Sequence, residues 1–315
     1  MHQDRLSALP NELLELILSH LSTPVLLSLS TISRHVHQHV LVALHARLSA
    51  AATLDTHTLV LECYHPAARL STANLYCDYI GTPGLDSILT TASSGDDTLG
   101  KLKALGALYS RFLPRSSEPN GPGSSPPQRR HPAGDVPGSR THPTSRGDDE
   151  GAGAASRTIG LDPGEMFGQL CCATNLVKMA PRRNVMVSIV EVSDGLIRVF
   201  RDWLAKRAGS VLEAGDDASG EGLTLGHDDP GVLWVNNCDR AIGIKFRVRA
   251  KAVRHDTPVL YASDEEVAVS YHLDLEELLV RTSYLLRKIE RSREQQTQEL
   301  GHGKAIIFGT FPETS

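Results

Sequence analysis

One polar stretch in the middle of the chain limits where a hydrophobic core can form. Between Pro114 and Thr158 the sequence is dense in Pro, Gly, Ser and Arg, and Val136 is its only Leu, Ile, Val, Met or aromatic residue. A segment with so little apolar surface cannot offset the entropy of folding, and ordered loops of this length without secondary structure are uncommon. We therefore predict a disordered insertion over residues 113–158, which divides one domain into residues 49–112 and 159–315.

The composition of the 315 residues narrows the class of protein. Hydrophobic residues make up 40% of the chain, which is ordinary for a globular protein, and the net charge of -5 gives no field that would hold a nucleic acid or a membrane surface. The five cysteines lack framework or zinc-ligand spacing, which favours a reducing compartment. Polar residues interrupt the apolar stretch from Leu13 to Ile32, so it fits neither a signal peptide nor a membrane helix. We expect a cytoplasmic or nuclear protein that binds no nucleic acid and no membrane.

Short apolar runs closed by turn residues predict a β-rich domain on both sides of the insertion. The runs that we interpret as strands are Leu59–Tyr64, Ala73–Ile80, Val185–Val190, Leu196–Leu204, Val232–Val235, Ala241–Val248, Val267–Leu273 and Lys304–Phe311. So many short strands favour an antiparallel sheet or a sandwich.

Three helices are predicted to flank these strands. Lys101–Phe112 has the pattern of a short helix, and Pro163–Met179 has helical spacing with Asp162 as its N-cap. The last helix is expected to begin at Asp274, with Glu277 closing a capping box. Its leucine-rich stripe predicts that it lies against the sheet.

The N-terminal segment has the spacing of two short amphipathic helices. Pro10 fits the first turn of the first helix, and Pro24 lies where that helix has ended. The apolar face of the first helix contains Leu13, Ile17, Leu18 and Leu21, and that of the second contains Leu26, Leu29, Ile32 and Val36. Helices this short bury too little apolar surface to be stable alone, so we expect a partner to complete the face.

This segment resembles the F-box family, and the resemblance assigns residues 1–48 to an F-box. It is carried by Leu9-Pro10, Glu12-Leu13, Ile17-Leu18, Leu21, Leu26-Leu27, Leu29 and Ile32-Ser33-Arg34. In that family the leading Leu-Pro segment and the helix faces pack on the Skp adaptor, which links to a cullin and a RING protein. The adaptor contacts that the resemblance implies are Leu9, Pro10, Leu13, Ile17, Leu18, Leu21, Leu26 and Ile32.

Two positions depart from the family pattern. Val25 stands where the second helix often begins with an acidic residue, and Val36 stands where a tryptophan is usual. The apolar face persists despite both changes. Loss of a large aromatic anchor implies adaptor binding weaker than is typical of the family.

The resemblance also implies a function. It predicts a substrate-recruiting adaptor of a Skp/cullin/F-box ubiquitin ligase, which binds a target protein through its C-terminal domain, is not an enzyme and needs no cofactor. The phrases Leu61–Pro66, Leu75–Tyr79, Arg198–Leu204 and Val232–Val235 are similar to fungal F-box proteins of unassigned role. Two alternatives stay open: a stand-alone F-box protein that does not direct degradation, and a glycan-binding β-sandwich, since a fainter similarity links this region to phloem-lectin-like domains.

Three further groups of residues invite a chemical role but favour a structural one. His35 and His39 have the spacing of zinc ligands on a helix, but no third ligand lies nearby. The adjacent Cys171-Cys172 would point to different faces of a helix as small hydrophobes. Trp203 and Trp234 could form a stacking platform for a sugar, although core positions are favoured. The sequence predicts no catalytic residues and no metal site, and it does not identify the substrate-binding residues.

Overall fold

A computed structural model shows an N-terminal helical unit joined to an antiparallel sheet with flanking helices. It describes residues 9–68, 72–90, 98–116, 155–179, 186–213, 229–251 and 267–299. The helices are α1 (Asn11–His20), α2 (Thr23–Leu29), α3 (Arg34–Thr53), α4 (Leu85–Thr90), α5 (Thr98–Ala107), α6 (Arg201–Glu213) and α7 (Thr282–Glu299). The strands are β1 (Thr58–Tyr64), β2 (Leu75–Gly81), β3 (Tyr109–Arg115), β4 (Ser156–Leu161), β5 (Phe167–Met179), β6 (Met186–Phe200), β7 (Val232–Trp234), β8 (Ile242–Lys251) and β9 (Val269–Arg281).

The nine strands form one curved, nearly barrel-shaped sheet. Its order is β6-β5-β1-β2-β3-β9-β8-β7, every neighbouring pair is antiparallel, and β4 pairs with the first half of β9. The main core includes Leu61, Phe112 and Phe246 from the sheet, and Leu285 and Ile289 of α7 pack into it. The predicted α+β fold class, a helical N-terminus followed by a β-rich antiparallel sheet with flanking helices, is confirmed.

The helix α3 is the physical link between the helical unit and the sheet. The Ser33 hydroxyl accepts a hydrogen bond from the Val36 N–H and caps its first turn. Val36 and Val40 are buried in the helical unit, whereas Leu48 and Ala51 belong to the main core. One continuous helix therefore contributes to both cores, and the domain boundary predicted at residue 48 falls inside it.

The predicted helix Pro163–Met179 is wrong, because Phe167–Met179 is the strand β5. Its residues alternate between buried and more exposed positions, and the strand pairs along its length with β6. Several of its inward positions carry small or polar residues, including Gly168, Cys172 and Thr174. These residues conceal the period of two that a more apolar strand would show. Asp162 is accordingly not a helix N-cap.

The predicted start of the last helix at Asp274 is also wrong, because the strand β9 runs through this position and α7 begins at Thr282. The Asp274 carboxylate pairs with Arg249 at 2.8 Å, and Glu277 pairs with Arg111, so both acids hold neighbouring strands together rather than capping a helix. A leucine-rich run fits a strand or a helix equally well, and pairing on both edges of β9 favours the strand. The prediction that the last helix packs on the sheet is confirmed.

Two predicted elements end earlier than expected. The helix predicted over Lys101–Phe112 ends at Ala107, and the strand β3 follows at once. The strand predicted over Leu196–Leu204 ends at Phe200, where the chain continues as α6. None of the helices in the described ranges is long and apolar enough to cross a membrane.

The strands beside the predicted insertion extend into both ends of the range 113–158. The strand β3 continues to Arg115 through pairing with β2, and β4 begins at Ser156 through pairing with β9. The range predicted for the insertion is therefore too wide at both ends. Residues 117–154 and the predicted strand Lys304–Phe311 lie outside the described residues.

Candidate functional site

The first three helices enclose a small core of their own. Its buried members are Leu14, Leu18, Leu26, Val36, Val40 and Leu44. Leu102 of α5 packs against this core from the β-rich part of the chain. The helical unit thus has an internal core to which α5 contributes, and only part of its apolar faces is left for a partner to cover.

Six apolar side chains of this unit are exposed, and we call this set the exposed apolar surface. It consists of Leu13, Leu16, Ile17, Val25, Leu27 and Ile32, whose exposed fractions lie between 42% and 57%. The three residues on α1 are spaced i, i+3 and i+4 and share one side of that helix. Apolar side chains gathered on one small unit are typical of a protein-binding surface.

The eight predicted adaptor contacts divide between this surface and the interior. Leu13, Ile17, Ile32 and Pro10 are exposed, and Leu9 and Leu21 are half-buried. Leu18 and Leu26 are 1% and 0% exposed, so the prediction that they contact a partner is corrected: they hold the helical unit together.

Sequence reasoning missed three members of the exposed apolar surface, Leu16, Val25 and Leu27. The first helix carries two leucine stripes, and the pattern alone does not show which one faces inward.

Val36 is 1% exposed, so the change from the usual tryptophan affects the packing of the unit's own core. The expectation of weaker adaptor binding stays a prediction.

The paired histidines lie between α1 and α3. The rings of His35 and His39 are 4.8 Å apart, His39 Nδ1 lies 3.3 Å from the Glu15 carboxylate, and His35 Nε2 lies 3.3 Å from Asn11 Oδ1. Among the described residues no group of three His, Cys, Asp or Glu side chains is placed to hold a metal ion. These contacts bring the start of α3 against α1 and give the histidines a structural role.

Arg47 of α3 joins the helical unit to the last helix. Its Nη2 donates to the carbonyl oxygens of Leu18 at 3.2 Å, Ser19 at 2.9 Å and Leu21, and its Nη1 donates to Thr23 Oγ1 at 3.2 Å and Glu290 Oε1 at 3.4 Å. The carbonyl groups lie at the end of α1, where they lack partners within the helix and favour a cation. One guanidinium therefore fixes α1, α2 and α7 relative to one another.

We predict that Arg47→Met lowers the free energy of unfolding by about 2 kcal/mol, because several carbonyl groups and Glu290 lose a charged donor. Urea denaturation of the full chain measures this change. The matched control is Arg115→Met, whose ion pair with Asp78 involves side chains 56% and 34% exposed. A surface pair contributes about 0–1 kcal/mol, so equal losses in the two variants would contradict the role assigned to Arg47.

The two tryptophans belong to different parts of the fold. Trp203 is in α6 rather than in a strand, packs on the main core and donates its indole N–H to the Pro230 carbonyl at 3.0 Å. Trp234 is half-buried in β7, and its ring packs at a tilt of 56° with its centroid 5.4 Å from that of Tyr109 in a separate cluster. The two side chains pack in different hydrophobic clusters, and both fit the structural interpretation.

Comparison with known families identifies the helical unit. The model of the F-box domain matches residues 6–41, the segment that contains α1, α2 and the beginning of α3. No curated protein and no solved structure matches the chain. F-box domains bind the Skp adaptor and generally serve as adaptors of ubiquitin ligases rather than as enzymes. The chain therefore contains an F-box domain in its N-terminal part.

Proposed function

We propose that this protein is the substrate-recruiting subunit of a Skp/cullin/F-box ubiquitin ligase. The F-box would bind the Skp adaptor and through it the cullin, and the β-rich part would hold the target protein. The observation that carries the proposal is the exposed apolar surface on an F-box whose own core is already filled.

The size of this surface suits a specific partner. Full burial of a Leu, Ile or Val side chain contributes about 1.5–3 kcal/mol, so covering six half-exposed ones contributes roughly 1 kcal/mol each before the entropy of association is subtracted. Interfaces draw most of their affinity from a few such apolar side chains near their centre. The Skp adaptor is the partner that the F-box match supplies for this role.

The connection between the two parts supports a recruiting function. Because α3 continues from the F-box into the main core and Arg47 fixes α7 to α1, the sheet is held at a defined position relative to the F-box. A ligase subunit that fixes its target in this way raises the effective concentration of the target near the charged enzyme. Catalysis by this chain itself is not required.

The proposal is tested by comparing the wild type with the triple variant Leu13→Asp, Ile17→Asp, Ile32→Asp in cells. We expect the wild type to co-purify both the Skp adaptor and the cullin, and the variant to lose both. The substrates would be proteins that bind the wild type and the variant equally. Their ubiquitylation and turnover would be slower in cells with the variant than in cells with the wild type.

Two outcomes separate the proposal from its main alternative. If the cullin fails to co-purify while the Skp adaptor binds, the protein is a stand-alone F-box protein. The cullin could instead co-purify while every bound protein keeps its ubiquitylation and turnover unchanged in the variant. That result would contradict substrate recruitment.

A further inference from the structure

Two buried thiols face each other across neighbouring strands of the sheet. Cys63 of β1 and Cys172 of β5 are directly opposite in the antiparallel register. Opposite residues in such a ladder have Cα atoms about 4.5–5.5 Å apart, within the range of about 4.4–6.8 Å that a disulfide spans. The Cys172 thiol donates a hydrogen bond to Cys63 Sγ at 3.6 Å. The backbone is already placed for a bond between the two sulfur atoms.

The contact between the two thiols singles the pair out among the five cysteines, since Cys77 is buried as well. Cys63 and Cys172 are 0% and 1% exposed, whereas the neighbouring Cys171 is half-buried on the other side of β5 and Cys238 is exposed. The Arg157 guanidinium donates to the Cys63 carbonyl. The hydrogen bond from Cys172 lowers the pKa of Cys63, and the same bond together with burial raises the pKa of Cys172. The geometry thus places the two sulfur atoms side by side, and the hydrogen bond favours ionisation of Cys63 over that of Cys172.

We propose that Cys63 and Cys172 form a modification site at which a peroxide converts two thiols reversibly into a disulfide. The Cys63 thiolate attacks one peroxide oxygen, the O–O bond breaks, and the departing hydroxide takes up a proton to become water. The Cys172 sulfur then attacks Cys63 Sγ, the S–O bond breaks, and the second hydroxide leaves as water with the Cys172 proton. The two sulfur atoms lose two electrons and the peroxide gains them.

Oxidation of this pair would join the two parts of the β-rich domain covalently. The cysteines are 109 residues apart in sequence and lie on opposite sides of the insertion predicted over residues 113–158. Because both thiols are buried, peroxide reaches them through transient opening of the sheet. The disulfide would close a long loop and so disfavour the unfolded state.

The test uses the full chain with Cys238→Ser, which removes the exposed thiol. After treatment with hydrogen peroxide and alkylation of remaining thiols, peptide mass spectrometry is expected to find a Cys63–Cys172 linked peptide that has lost two hydrogen atoms. The urea midpoint should rise on oxidation and return after treatment with dithiothreitol. Cys171→Ser is the matched control and should leave the linked peptide unchanged, whereas Cys63→Ser should abolish it.

The proposal would be overturned if Cys63 and Cys172 are recovered alkylated at peroxide concentrations that fully oxidise the exposed Cys238 of the wild type. Recovery of the two cysteines as separate sulfinic or sulfonic acids would overturn it too. The peptide map of the Cys238→Ser protein decides between these results even if Cys63→Ser fails to fold. The result is independent of whether the protein recruits substrates to a ligase.

Discussion

Truncation of Leu26 to alanine is expected to destabilise the F-box by about 3 kcal/mol. Leu26 is 0% exposed and packs with Leu14, Leu18 and Val36. Leu→Ala substitutions in protein cores cost about 2–5 kcal/mol because they remove apolar contacts and leave a cavity. Six buried side chains form this core, so one cavity affects a large share of its packing. Hydrogen exchange of the α1 and α2 amides in the full chain measures the loss of stability within the F-box.

The neighbouring residue provides the control for this prediction. Leu27 lies on the same helix and is 44% exposed, so Leu27→Ala removes part of the exposed apolar surface without opening a cavity. We expect this variant to change stability by less than about 0.5–1 kcal/mol and to weaken adaptor binding instead. Equal destabilisation by the two substitutions would show that the interior and exterior of α2 are assigned wrongly.

The second large effect is a loss of stability at acidic pH that comes from His57. This residue follows α3 and is 7% exposed. His57 Nε2 lies 3.1 Å from Ser292 Oγ, Ser292 Oγ lies 2.8 Å from Ser188 Oγ, and Thr56 Oγ1 lies 2.9 Å from His57 Nδ1. Burial, followed by the charges of Lys178 and Arg293, lowers the pKa of His57 from 6.5 to about 4. The imidazole is therefore neutral in the folded protein at neutral pH.

Because the unfolded chain binds a proton at His57 more readily than the folded chain, stability falls as the pH decreases from 6.5 towards 4. Each pH unit in this window corresponds to about 1.4 kcal/mol, so we expect a total loss of up to about 3 kcal/mol. The full contribution of neutral His57 to the free energy of unfolding is present above pH 6.5. Urea denaturation of the wild type and His57→Gln at a series of pH values measures this difference.

Comparison with His57→Gln separates the pH dependence caused by His57 from that of the other titrating groups. His272, whose pKa is lowered by burial and by the nearby Lys251 and Arg249, destabilises the fold in the same direction and is present in both proteins. The pH dependence of His57→Gln should therefore be shallower than that of the wild type. Parallel curves for the two proteins would show that folding does not lower the pKa of His57.

The sequence predicted the position of the F-box because its helices carry local signals, although the second helix expected through Val36 is divided into α2 and α3. Pro10 and Pro24 each lie at the start of a helix, where the missing N–H has no consequence, and Ser33 caps the third. Such signals depend only on residues close in sequence. The assignment of the N-terminal segment therefore did not need the rest of the fold.

The elements that sequence reasoning missed depend on distant pairing. The strand β5 lies between β1 and β6, and its small inward residues, such as Gly168, give no clear period. Asp274 has the spacing of a helix cap, but β8 and β4 pair with β9 on both sides of it. No local pattern contains that information.

The candidate site was predicted only in part, because burial within the helical unit also depends on packing between separate helices. Ile17 and Leu18 are adjacent and similar in chemistry, yet one is 45% and the other 1% exposed. The difference follows from the side of α1 on which α3 packs, which the pattern of α1 alone does not specify. A stripe of leucines shows that a face will be covered but not whether the chain itself or a partner covers it.

Calorimetric titration of the purified full-length protein with the purified Skp adaptor tests the central claim most directly. The measurement compares the wild type, the triple variant Leu13→Asp, Ile17→Asp, Ile32→Asp, and a control with Leu196→Asp, an equally exposed leucine on β6. We predict binding by the wild type and the control, and at least about a hundredfold loss in the triple variant, which corresponds to about 2.7 kcal/mol. Absence of wild-type binding, or unchanged binding by a folded triple variant, would contradict the account.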